Sequence, residues 1–288
     1  MEGCCKKITI VNCGSFRIPK IIHLCWLSGD NFPEDIQRCI DSWKAILPEY
    51  EVWLWGKLPS DRKCYEGLNI IEKQFDIDSV QWTKEAFEKK KYAFAADYIR
   101  LFALYNYGGI YLDSDVLVYK SFDDLLNLPY FIGLDYTNSF EAAVIGAEKG
   151  AKWIGEILMH YENRHFIKFD NTIDNVPLPQ IFFNSLKSRY KFIRLHRVVK
   201  YELDNEEFFV FDKDFFNSRN SCQSRRTRKS YCTHNYAGAW TDKDNSIKGI
   251  IKRLVPKWIL IIYFSISHNT FNRKILHIYE PPIVREIK

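Results

Sequence analysis

Two aspartates one residue apart, Asp113 and Asp115, close the uncharged run Ile110-Tyr111-Leu112, and Val116-Leu117-Val118 resumes apolar character at once. In extended backbone, residues i and i+2 point to the same side, so the pair presents two carboxylates together. Like charges this close repel unless a cation sits between them, and hard oxygen donors suit magnesium, manganese or calcium. A D-x-D pair in a polar turn is ordinarily just solvated. Here it ends an apolar strand, and ligands of open α/β sheets gather at the carboxyl ends of strands. The pair is therefore read as a metal site.

Upstream, nearly every position from Ala93 to Tyr111 is apolar or aromatic, which predicts a buried helix with no water-facing side. Only Asp97 and Arg100 interrupt that run with charge. Unpaired buried charge costs several kcal/mol, on the order of a domain's net stability, so both need partners. Their i, i+3 spacing lets them meet on one face. An internal salt bridge and a ligand-holding pair are both open on this feature alone. Gly108-Gly109 stops the helix, because glycine takes the left-handed cap conformation freely.

The elements that must carry these groups are legible around them. Ile21–Trp26 reads as a buried strand, and Ile36, Cys39, Ile40, Trp43 and Leu47 repeat at helical spacing after Pro33. Val52–Trp55 reads as the next strand, giving a β-α-β unit with parallel strands and a right-handed crossover. Residues 56–82 yield no clear assignment. From Thr83 a charged stretch runs into the central helix. A short helix near Ser121, strands at 131–134 and 142–146, helices around Trp153–Tyr161 and Ile181–Leu186, and strands at 192–193 and 208–211 follow.

Residues 217–230 are polar and basic without period, which predicts a loop. Arg225, Arg226, Arg228 and Lys229 suit either a solvated surface or a phosphate clamp. In Tyr231–Trp240 a His-Asn pair lies between aromatics, and the residues alone leave His234 between a hydrogen-bonded structural role and metal ligation. From about Ile247, basic residues join the apolar run Trp258–Phe264. That run is too short to span a bilayer, and both membrane-interface contact and packing on the domain fit it.

At 288 residues with 47% hydrophobic content the chain can bury one large domain plus appendages. A net charge of +5 suits anionic ligands or a membrane surface, and no nucleic-acid-binding signature is present. Eight cysteines without a C-x-x-C pair read as reduced thiols. The first 15 residues read as neither signal peptide nor anchor, so the expected location is cytoplasmic, with peripheral contact at the inner face of the membrane as the alternative to free solution.

The segments IPKIIHLCW (18–26), CIDSWKAILPEYEVWLW (39–55), KKYAFAADYIRLFALYNYGGIYLDSDV (90–116) and THNYAGAW (233–240) together resemble glycosyltransferase family 32, whose members carry a DXD sugar-binding motif and share a catalytic core with clostridial glucosylating toxins. The resemblance implies an α/β chain of the GT-A type, with a mixed, mainly parallel central sheet. To this we add an expected α-helical C-terminal extension, with a catalytic domain over 1–245 and a basic, apolar extension over 246–288. It further implies a retaining transferase that moves a hexose from a UDP- or GDP-sugar to a glycan or lipid-linked oligosaccharide, in capsular, exopolysaccharide or other surface glycan synthesis, with Mn2+ or Mg2+ as cofactor. By position, Trp26 matches the aromatic that stacks on the donor base, and Asp97 and Arg100 match the pair that holds the donor sugar. Tyr111 matches a donor-lining residue, Asp113 and Asp115 the DXD, His234 a late histidine at the metal–phosphate site, and Trp240 a phosphate contact. Two departures stand out: Ala239 where many members have serine, and Gly150-Ala151 where many have His-Pro. No carboxylate is clearly placed as a covalent nucleophile, which favours front-face attack. A nucleotidyltransferase would need a glycine-rich loop that 18–31 lacks, whereas a metal-dependent hydrolase and a silent glycan-binding protein stay open as alternatives.

Overall fold

Alternation along Ile21–Trp26 (β1) sends Ile22 and Leu24 to one face and His23 and Cys25 to the other. Both faces are covered, so the strand is apolar almost throughout. A computed structural model of the chain describes residues 16–203, 206–217, 219–220, 223–224, 226–236 and 280–288. After β1 come α1 (Glu34–Ile46), β2 (Glu51–Gly56) and β3 (Asn69–Lys73). Then follow α2 (Gln81–Glu88), α3 (Tyr92–Tyr107), β4 (Gly109–Leu112) and β5 (Val116–Val118). The second half holds β6 (Tyr130–Leu134), β7 (Phe140–Ala147), α4 (Lys152–Met159), α5 (Leu178–Leu186), β8 (Lys191–Leu195) and β9 (Glu207–Phe211). Short ladders at β10 (Arg219–Asn220), β11 (Gln223–Ser224) and β12 (Cys232–His234) precede a last strand, β13 (Ile283–Ile287).

Among the described residues, nine strands form the main sheet in the order β13-β8-β9-β6-β7-β4-β1-β2-β3. β3, β2, β1 and β4 run parallel, β7 is antiparallel to both β4 and β6, and β6, β9, β8 and β13 run parallel to one another. The sheet is thus mixed and mainly parallel, with helices packed on it: an α/β architecture. The expected β-α-β unit is present as β1-α1-β2, with Ile22 paired to Val52. α3 packs on β1, β4 and β7 and against α2 and α4, which explains its lack of a polar stripe. Its exposed positions, Tyr105 and Tyr107, lie at its end.

Three expectations are corrected. The charged stretch after Thr83 does not run into the central helix. Lys90 adopts a left-handed φ of 57°, and the Lys91 N–H reaches back to the Ala86 carbonyl at 2.8 Å, so α2 ends in a Schellman-type cap before α3 starts. Residues 56–82 contain the edge strand β3. The extension over 246–288 is not helical at its end. Ile283, Val284 and Ile287 favour strand, and β13 joins the same main sheet beside β8. The expected domain boundary at 245 and the apolar run Trp258–Phe264 lie outside the described residues. Among the described residues, no helix is long and apolar enough to cross a membrane.

Buried His23 links β1 to the end of α3. Its Nδ1 accepts the Trp55 indole N–H (3.1 Å), and its Nε2–H donates to the Gly108 carbonyl (2.7 Å). Burial, opposed by the Gly108 contact, lowers its pKa from 6.5 to about 4. The folded ring stays neutral where the unfolded ring takes up a proton. This stabilisation is therefore complete above pH 6.5 and is lost as pH falls towards 4, by about 3 kcal/mol. Urea unfolding across pH 7 to 4 should show that much less pH dependence in His23→Gln than in wild type.

Candidate active site

The glycine pair sets the geometry that follows α3. Gly108 has a φ of 68° and Gly109 a φ of 112°; a Cβ on Gly109 would lie 2.7 Å from the Ile21 carbonyl oxygen. Only glycine permits both the left-handed turns and this close approach to β1. β4 then runs beside β1, with His23 opposite Tyr111. Trp26 and Asp113 therefore lie at the same carboxyl edge of two neighbouring parallel strands, the edge where ligands of α/β sheets bind.

Asp113–Asp115 is a tight turn and not the extended segment expected. The Val116 N–H donates to the Asp113 carbonyl at 3.0 Å, and the Asp113 N–H to the Ala143 carbonyl at 2.9 Å. The α1 indole of Trp43 donates to the Val116 carbonyl at 2.8 Å and fixes the strand leaving the turn. On the other side, β12 lies antiparallel to β5 with His234 opposite Val116, and the Asn235 N–H donates to the Asp115 carbonyl at 3.1 Å. This pairing brings a histidine from 119 residues downstream onto the DXD turn. Ligand atoms of Asp113, Asp115 and His234 all lie within 4.8 Å of one another. Two carboxylates and an imidazole form a donor set suited to manganese or magnesium more than to a soft metal, so the residues present fit a divalent cation. Asn235 turns its side chain to the Cys39 Sγ at 3.2 Å.

Arg100 joins the second pair to this triad. Its guanidinium lies 3.0 Å from Asp97 Oδ1 and 3.4 Å from Asp113 Oδ1, donates to the Ala142 carbonyl at 2.8 Å, and sits over the Tyr111 ring at 4.4 Å. The salt bridge left open above is present, and it is not separate from the aspartates. Burial pushes the Asp97 carboxyl up to about 7, with Arg100 opposing and Asp113 reinforcing the rise. Tyr111 is only 1% exposed; its hydroxyl donates to Asp113 Oδ1 at 2.7 Å. It therefore stands behind Arg100 and Asp113, and a direct donor-lining position is not what the buried ring occupies. Trp26 is half-buried at the end of β1, its indole N–H donating to the Asp30 carbonyl and its edge against Phe32. Trp240 and Ala239 lie outside the described residues. The basic loop 226–229 precedes Tyr231, whose carbonyl pairs with Tyr119 and Lys120 at the end of β5 away from the aspartates. Arg225, the first of the loop's four basic residues, lies outside the described residues.

One site residue was not anticipated. Glu141, 3% exposed, lies with its Oε1 3.2 Å from His234 Nδ1, while His234 Nε2 lies 3.3 Å from Asp115 Oδ1. Burial by itself would lower the His234 pKa, but Glu141 and then Asp115 hold it well above the ordinary value. Burial likewise works to raise Glu141, and His234 outweighs it, so the carboxylate stays ionised. Its signal was in the sequence: Glu141 is the single charge in the apolar run Phe140–Ala147, the same pattern that singled out Asp97 and Arg100.

Residues 33–132 match the family model described as "Glycosyltransferase sugar-binding region containing DXD motif". A mannosyl phosphorylinositol ceramide synthase of Saccharomyces cerevisiae is 26% identical over 211 residues, covering 68% of this chain and 50% of that protein. An inositol phosphoceramide mannosyltransferase of Schizosaccharomyces pombe is 30% identical over 161 residues, covering 53% of this chain and 40% of that one. The matched regions thus span about half or less of these relatives' length. Among solved structures, the PaToxG glycosyltransferase aligns at 23% identity and a TM-score of 0.43, covering 59% of this chain and 68% of that one. Asp97, Arg100, Asp113 and Asp115 all fall inside the region that matches this family model.

Proposed function

We propose that the chain is a retaining, divalent-metal-dependent glycosyltransferase of the GT-A type, which moves a hexose from a UDP- or GDP-sugar to a glycan or lipid-linked acceptor. The observation that carries this reading is the Arg100 contact to both Asp97 and Asp113, which makes a sugar-holding pair and a cation-holding triad one continuous site. Asp113, Asp115 and His234 would hold the ion. When bound, a divalent cation acts as a Lewis acid on the diphosphate and stabilises the charge that develops on the leaving group.

The chain's own residues do the rest. Asp97 accepts from hydroxyls of the donor sugar, while Arg100, fixed by the Ala142 carbonyl and the Tyr111 ring, keeps Asp97 in place and adds positive charge beside the phosphates. Trp26 and Trp240 are assigned to the donor base and phosphate. The acceptor hydroxyl attacks on the face the diphosphate leaves, so the anomeric configuration is kept. Surface glycan synthesis, capsular or exopolysaccharide, is the biological setting we favour, at the inner face of the membrane.

The test is a donor panel with purified protein and Mn2+. Mannose donors head the panel because the fungal relatives are named as mannosyl-transferring enzymes. Turnover of one donor, with the product anomer matching the donor by NMR, is expected. An inverted anomer would overturn front-face attack, and donor breakdown that no acceptor accelerates would assign a hydrolase.

A further inference from the structure

A buried carboxylate needs compensating partners, because its desolvation costs several kcal/mol. Glu141 sits in no ordinary stretch of sheet. Ile132 of β6 pairs with Ile145, but the next residue, Gly133, pairs with Glu141, so residues 142–144 of β7 have no partner on β6. This irregularity re-aims the strand beside the site, as bulges commonly do. It leaves the Ala142 carbonyl free for Arg100, while the Ala143 carbonyl continues the ladder to β4 by accepting the Asp113 N–H. It also places Glu141 under His234.

Every acceptor position of that carboxylate is used. Oε1 faces His234 Nδ1 and accepts the Ala143 N–H at 3.0 Å. Oε2 accepts from the Asn217 amide and from the Tyr236 hydroxyl at 3.2 Å. Tyr236 in turn lies against the imidazole, with ring centroids 4.0 Å apart. Glu141 is thus held from three sides and cannot swing to follow another partner.

We propose that Glu141 is a positioning residue: it holds the Nδ1–H of His234, fixes the plane of the ring, and leaves Nε2 as the nitrogen that ligates the cation beside Asp115. A carboxylate offers only lone pairs, so Nδ1, which faces Glu141, carries a hydrogen; Nε2 faces the Asp115 carboxylate, and a cation held between those two would displace its hydrogen and take its lone pair. Such outer partners typically contribute 10–100-fold to metal affinity. The inference rests on the metal-dependent reading above.

Mn2+ binding to the whole chain, followed by electron paramagnetic resonance of the free ion, tests it without reference to turnover. Glu141→Gln should weaken Mn2+ binding about 10–100-fold, and Glu141→Asp, which retracts the charge without removing it, should lie between. The decisive comparison is the double variant. If Glu141 acts through His234, Glu141→Gln combined with His234→Ala should bind Mn2+ no more weakly than His234→Ala alone. In the Mg2+-loaded protein, 15N ring shifts should report His234 protonated at Nδ1 in wild type and a tautomer mixture in Glu141→Gln. Unchanged Mn2+ affinity in both Glu141 variants, or losses that multiply in the double variant, would overturn the proposal. A wild-type chain that binds no Mn2+ would overturn the metal-dependent reading, and this inference with it. Should Glu141→Gln not fold, Glu141→Asp alone and paired with His234→Ala carries the same comparison.

Discussion

Asp115→Asn is expected to abolish both Mn2+ binding and sugar transfer, with transfer falling by at least about a hundred- to a thousand-fold, because charge stabilisation in a closed site supplies several kcal/mol. Asp115 is almost fully buried, its carboxylate beside His234 Nε2 and its carbonyl pinned by the Asn235 N–H. An asparagine keeps the shape and the backbone contact and removes the charge. The fold should survive, so an unchanged near-UV spectrum with lost Mn2+ affinity is the expected signature. Asp113→Asn should lower transfer similarly, but its side chain also accepts from Tyr111 and lies beside Arg100. Its loss should therefore disturb donor binding as well, visible as a raised KM. Full activity in either variant would remove the DXD turn from the mechanism.

Arg100→Leu is expected to have the largest effect on stability. Arg100 is 5% exposed and touches Asp97, Asp113, the Ala142 carbonyl and the Tyr111 ring. Deleting it leaves Asp97 without its partner and takes the nearest positive charge from Asp113. Breaking a buried ion pair in this way costs about 3–5 kcal/mol, measurable by urea unfolding at pH 7. Asp97→Asn tests the other side. Arg100 there keeps its contact to Asp113, the carbonyl and the ring, so unfolding should shift much less while transfer is lost. A variant at Asp97 that simply unfolds would return the pair to a structural salt bridge with no part in sugar binding.

How much of this could be read from residues alone depended on whether the signal was local. α3 and its glycine stop, β4, and the β1-α1-β2 unit were legible because periodicity and glycine's left-handed freedom act over a few residues. The break between α2 and α3 was not, because Lys90 occupies a left-handed position where glycine would normally announce the cap. β3 escaped because it is an edge strand with no buried side chain, leaving no apolar rhythm. The DXD was recognised, yet its backbone was misjudged: extended pairing was expected, and the Asp113–Val116 hydrogen bond closes a turn. Glu141 was overlooked although a lone charge in an apolar strand is as conspicuous as one in a helix. Its partner, His234, lies 93 residues away, and only the β5–β12 ladder brings the two together.

The parallel pairing of β13 with β8 changes how membrane attachment can be probed. Removing everything beyond about residue 250 would be the direct way to ask whether the basic, apolar segment holds the protein on a bilayer. That truncation also strips a strand from the main sheet, along with the Arg285–Glu207 ion pair that clips it to β9. The freed border of β8 would then offer unpaired N–H and carbonyl groups, an invitation to aggregate. Pelleting of such a fragment with membranes would report stickiness and not attachment. Exchanging Trp258–Phe264 for polar residues of equal number, with Glu280–Lys288 kept in place, leaves the sheet closed and lets the question be answered.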